Sequence, residues 1–173
     1  MLEQNSINLR AVEVEDLEQL RLWRNNVNFR KYFREHSELS KADQLKWYNE
    51  VVLPKKHTLM FSIVEKQTHM LLGACGLCYI DWLRKSADLS IYIGHENIYL
   101  DDLYAIDSAK ALIKYGFEEI GLHRLWAEVY SHDQMKQKFF ETLGFKLDGK
   151  HRQTQWSDGV WLDSFFYSLL KTD

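Results

Sequence analysis

A chain of 173 residues is the length of one domain, and 46% hydrophobic against 27% charged residues gives it material for one continuous core. A net charge of -3 argues against a nucleic-acid partner, which calls for a basic excess, and the longest basic cluster, KKH at 55–57, is too short to change that. No apolar run approaches the ~18 residues of a membrane span, and no basic stretch followed by an apolar one opens the chain. Two cysteines give no disulfide framework, so the expected location is a reducing cytoplasm.

The elements read in chain order. Residues 7–14 form a first strand. Residues 15–26 form a helix, with Leu17, Leu20 and Trp23 at helical spacing and acids in the first turn. Ser40 with Asp43 has the form of a capping box and opens a helix reaching about residue 52. Two strands, 59–65 and 71–80, flank a turn at 66–69. A fourth strand covers 87–93, with Ala87, Leu89, Ile91 and Ile93 on one face. A long helix starts at Asp101 or Tyr104 and runs to Ile120, where Gly121 stops it. A fifth strand covers 124–130, and a helix at 133–143 is closed by Gly144. Two last strands, 145–156 and 161–170, flank Asp158-Gly159, a strong hairpin signal. A meander followed by crossovers predicts a mixed α/β sheet.

Cys75 and Cys78 form a C-x-x-C, but the flanks read as strand rather than as the start of a helix. At that spacing the thiols face opposite sides of the sheet. No second pair supplies the three or four ligands of a metal site, so we expect two structural thiols and no metal. The six tryptophans suggest a dense core or an apolar-walled groove. Trp47, Trp82 and Trp156 are candidates for the wall of an acceptor groove, with core packing the expectation for each.

Several stretches together resemble the GNAT superfamily of acetyltransferases, in its branch of ribosomal-protein and polyamine N-acetyltransferases. They are INLRA (7–11), ADLSIYIG (87–94), YGFEEIGLHRLWAEVY (115–130), FETLGF (140–145), and GKHR (149–152) with SDG (157–159). Their order and spacing carry the resemblance, which covers almost the whole chain. The early runs LWRN (22–25), RKYFRE (30–35) and QLKWY (44–48) resemble enzymes that acetylate nucleotide-linked amino sugars. That half would form the acceptor wall, or a helix pair that caps the sheet.

The resemblance implies a twisted, mostly antiparallel mixed sheet of about seven strands with about four helices, as a single domain over 1–173. It implies strands that part between the fourth and fifth, with acetyl-CoA entering the gap. Parted strands leave backbone groups unpaired, and the amide arm of the coenzyme can pair with them. The long helix would point its N-terminus at the pyrophosphate. The implied activity is N-acetyl transfer by direct attack, to a primary amine of a small molecule or a nucleotide-linked amino sugar. A protein N-terminal amine is the competing acceptor, and a non-catalytic interaction module is the alternative of another class. A homodimer is a candidate assembly.

The loop before the long helix departs from the family's Q/R-x-x-G-x-G/A pattern. HENIYLDDLYAI (95–106) places Leu100, Leu103 and Ala105 at the patterned positions, with Tyr104 between the last two at the helix start. Asp101 and Asp102 would either cap the helix and fill the anion site, or turn outward and leave the backbone to the coenzyme. At the last helix Asp133 and Phe140 stand where the family carries Asn and Tyr, and Phe cannot donate a proton. Tyr92 and Ile93 are candidates for an oxyanion-binding backbone N–H, and Lys136 or Lys138 for a compensating charge. Asp88 is the first candidate base, because the family carries an acid there; Asp81 and Glu128 are weaker choices. Tyr130, Ser131 and His132 are the remaining catalytic candidates at the fifth-strand exit. His123 reads as a turn residue.

Overall fold

The computed structural model describes residues 1–35 and 37–173. Eight strands form one sheet in the order β1-β2-β3-β4-β5-β6-β8-β7. A short β1, Leu2–Glu3, precedes β2, Ile7–Ala11, and its pairing makes eight strands where the sequence suggested seven. β2 stops three residues earlier than expected, and a 3-10 turn, Val14–Asp16, leads into α1, Leu17–Asn25. A further short helix, α2 (Val27–Arg30), follows directly, capped by the Asn26 side chain. α3 is Lys41–Trp47, opened by the Ser40/Asp43 capping box and continued by a π-helical turn, Tyr48–Val52.

The antiparallel meander is β3 (Leu59–Glu65), β4 (Leu71–Asp81) and β5 (Ser86–Ile93). α4, Tyr104–Lys114, runs on through a π turn to Glu119. β6 is Arg124–Tyr130, and α5 is Gln134–Thr142 with Asp133 as its cap. The hairpin β7 (Lys146–Ser157) and β8 (Val160–Leu170) closes the chain. Its turn puts Asp158 and Gly159 both at positive φ, 49° and 82°, as the Asp-Gly pair predicts.

The α4 face of the sheet carries Leu77, Leu89 and Leu125 beneath Ala105, Ala109 and Leu112, all at most 1% exposed. The other face carries Ala74 and Tyr92 and lies under α1 to α3. Cys75 is fully buried on β4 and Cys78 is half-buried; both are free, and burial pushes the Cys78 thiol up to about 12, so it stays protonated. The core expectation fails for three tryptophans. Trp82 is 41%, Trp156 55% and Trp161 57% exposed, because all three sit at or beside strand ends, away from the helix-covered middle of the sheet. No helix among the described residues is long and apolar enough to cross a membrane.

Candidate active site

Among the described residues β5 and β6 are the only parallel neighbours, and they pair at three positions: Ser86 with Arg124, Ala87 with Leu125, Asp88 with Trp126. Beyond Asp88 they part, while β6 stays paired to β8 through Tyr130. The fork opens here because a crossover brought the strands together; no hairpin turn sets their register.

Two acids stand at the fork. Asp88 is 4% exposed, and its carboxylate accepts a hydrogen bond from the Arg34 guanidinium at 3.0 Å. Glu128, two residues past the last pair, meets the same guanidinium at 3.3 Å and accepts from the Ser164 hydroxyl at 2.7 Å. Burial raises the Asp88 carboxyl above the ordinary 3.8, and the pull of Arg34 does not fully offset it. Arg34 also lies over the rings of Tyr79, at 5.4 Å, and Trp126, at 5.8 Å. It comes from the connection between α2 and α3, far from the sheet in sequence.

Above the fork, rings fill the space. Tyr32 stacks on Tyr99 at 4.8 Å and on His132 at 5.3 Å, and His132 faces Tyr130 at 6.2 Å. The Tyr99 hydroxyl donates to Asp133 at 3.1 Å. The Lys136 ammonium lies 5.5 Å over the Tyr99 ring. Burial pulls the Lys136 pKa down, although Asp133 and Asp88 work against it. Neither ring nitrogen of His132 has a hydrogen-bond partner among the described residues, though both are buried. An unmet group of this kind costs about 1–3 kcal/mol.

The remaining predicted residues divide between fork and scaffold. Ser131 lies beside His132, its N–H held by the Asp163 carbonyl at 2.9 Å. Tyr92 pairs with Ala74 and is buried against Phe33. The Ile93 N–H donates to the Tyr99 carbonyl at 2.9 Å, so this strand donor is already engaged. Asp101 accepts from the Ala105 N–H at 2.7 Å and the Leu103 N–H at 3.3 Å. Of the two arrangements open for Asp101, the chain adopts the cap. Leu100 is buried, Leu103 is exposed, and the Tyr104 hydroxyl is held by Glu65 at 2.9 Å. Asp133 caps α5 through the Lys136 N–H at 3.0 Å. Phe140 is fully buried between Phe139 and Phe145. Sequence reasoning passed over Arg34 and Tyr99. Arg34 stood within the run 30–35, but nothing local says that it reaches two strands of the sheet.

A cavity of about 450 Å³ lies under α3, against Ala74 and Tyr92 of the sheet. Glu35, Asp43, Glu50 and Trp47 line it against Arg24 and Lys46.

The chain matches the family described as Acetyltransferase (GNAT) domain over residues 6–146. It belongs to the GNAT acetyltransferase family. Among its relatives is the uncharacterized N-acetyltransferase p20 of Bacillus licheniformis, 27% identical over 96% of this chain and 94% of that protein. Another is the uncharacterized N-acetyltransferase YoaA of Bacillus subtilis, 22% identical over 99% and 97%. A spermidine N-acetyltransferase from Vibrio cholerae, solved with CoA and spermine, shares the fold with a TM-score of 0.87, 23% identity and 96% of each chain. The GNAT family acyl donor is acetyl-CoA, and the two ends of its groove differ here. At the fork the parted strands and the orphaned His132 nitrogens fit a ligand that brings partners. At α4 the fit fails in this arrangement: Asp101 holds the helix N–H groups that a pyrophosphate would need.

Proposed function

We propose that this chain transfers an acetyl group from acetyl-CoA to the amine of a small, positively charged molecule. One observation carries the reading: Asp88 and Glu128 at the mouth of the fork together hold a cation, the Arg34 guanidinium. The coenzyme supplies the activated acetyl thioester. Asp88 takes the proton that the incoming ammonium must lose, and its raised pKa suits that task. Glu128 and the rings of Tyr79 and Trp126 orient the amine. His132 offers the free imidazole nearest the fork, and Tyr130 and Ser131 complete its surroundings. Of the acceptors considered, the cavity under α3 favours a polyamine over a nucleotide-linked amino sugar. Its three carboxylates against two cations would repel phosphates. The spermine held by the Vibrio cholerae enzyme supports the same choice. A homodimer and a cytoplasmic location belong to this reading. Trp156, Val160 and Trp161 at the β7–β8 tip are the exposed apolar surface that a second copy would cover.

Thiol release with diamines, polyamines, nucleotide-linked amino sugars and free peptide N-termini tests it. Polyamines are expected to react fastest, and Asp88→Asn to lower kcat/KM by about 10²–10⁴. The wild-type rate should fall as pH drops through a value above 3.8, and the variant should lack that limb. No thiol release from any amine at saturating acetyl-CoA would refute the reading.

A further inference from the structure

The Arg34 side chain is anchored unlike a surface arginine. Its connection, between Arg30 and Lys41, contains no helix or strand in its described residues. Yet the guanidinium reaches Asp88 on β5 and Glu128 on β6, 54 and 94 residues away. Two aromatic faces flank it, and Tyr79, Trp126 and Phe166 continue as a stacked row at 6.3 and 6.4 Å. Carboxylates with aromatic faces are the chemistry that recognises a guanidinium or an alkylammonium. The occupant and its seat differ in exposure. The Arg34 side chain is 37% exposed, whereas that of Asp88 is 6% and that of Glu128 20%. The seat is therefore built into the sheet, and the cation is brought to it by a connection outside the sheet.

We propose that Arg34 is an internal stand-in for the acceptor's cation, and that the acceptor binds by displacing it. This rests on the amine-acceptor reading above and adds a gate to it. Withdrawal of Arg34 alone would leave the buried Asp88 carboxylate without its partner, which is strongly unfavourable. Only a ligand that brings a positive charge and N–H donors restores the balance. The gate thus excludes neutral and anionic molecules before any chemistry begins. It also sets affinity, because each acceptor competes with a tethered rival already in place.

Calorimetric titration with ethylguanidinium chloride reads the seat without any acetyl transfer. Wild type should bind it at least about tenfold more weakly than Arg34→Ala, since the variant has lost the competitor. Neutral ethylurea should bind neither. Adding Glu128→Gln to Arg34→Ala should weaken the gained binding by about tenfold or more. If Arg34→Ala does not fold, Arg34→Gln keeps the stem and serves the same comparison. Folded Arg34 variants that gain no affinity for ethylguanidinium would overturn the proposal, as would a gain insensitive to Glu128→Gln. Gained binding in an enzyme that acetylates no amine would uphold the seat and refute the acceptor reading, so the two fail separately.

Discussion

Replacing Asp101 with alanine tests whether the chain caps its own phosphate site. The carboxylate holds the Ala105 N–H at 2.7 Å and the Leu103 N–H at 3.3 Å. Loss of a helix cap costs about 1 kcal/mol, within a range of about 0.5–2. In a domain of this size that lowers Tm by roughly 2–4 °C per kcal/mol. For the coenzyme the sign reverses. The variant frees two backbone donors and removes a negative charge that opposes a pyrophosphate by about 1 kcal/mol at 4 Å in water, more where water is excluded. A gain of about 1 kcal/mol is roughly a fivefold tighter Kd. The two effects separate in one assay. Without ligand, Asp101→Ala should melt below wild type. With coenzyme A at ~100 times its Kd, either protein gains about 2.7 kcal/mol, and the variant should reach that gain at a lower concentration. A variant that is less stable but binds coenzyme A no more tightly would refute the competition argument. A wild-type protein that binds as tightly as the variant would do the same.

Two further perturbations follow from buried geometry. Burial alone would raise the Asp16 carboxyl, but Arg10, the Ser62 hydroxyl and the Glu13 N–H outweigh it and hold it below 3.8. Its stabilising contribution is therefore present above 3.8 and lost as pH falls through the lowered value in the folded protein. Asp16→Asn should cost about 2–3 kcal/mol at neutral pH, a cost moderated by the partial exposure of Arg10. Urea unfolding should show the gap from wild type closing in acid, and a gap constant with pH would refute this account. At Gly94 an added Cβ would lie 2.0 Å from the Trp23 ring, which is itself buried against the core. Gly94→Ala should lower stability by about 1–3 kcal/mol through overpacking. A change below about 0.5 kcal/mol in denaturant midpoint analysis would show that the ring moves aside freely.

Much of the scaffold was legible in the chain because its signals are local. The Ser40/Asp43 capping box and the Asp158-Gly159 turn formed as read, since a few adjacent residues satisfy their own backbone groups. The opposite faces of Cys75 and Cys78 were likewise fixed by strand alternation. The short β1 was not legible, because two residues become a strand only when β2 offers an edge. The exposed Trp82 and Trp156 were misplaced, because aromatic content does not say which surface the tertiary structure covers.

At the site, the sequence by itself determined that Asp88 lies on the strand beside the gap and that no glycines soften the loop before α4. It could not choose between Asp101 as a cap and Asp101 turned outward, because that depends on where residues 95–103 settle. Only the tertiary structure brought Arg34 to Asp88 and Glu128, and set Tyr32, Tyr99 and His132 in one stack. These groups lie tens of residues apart, and no periodicity links them. They meet because β5 and β6 part at Asp88, leaving acids and open space that the rest of the chain then fills.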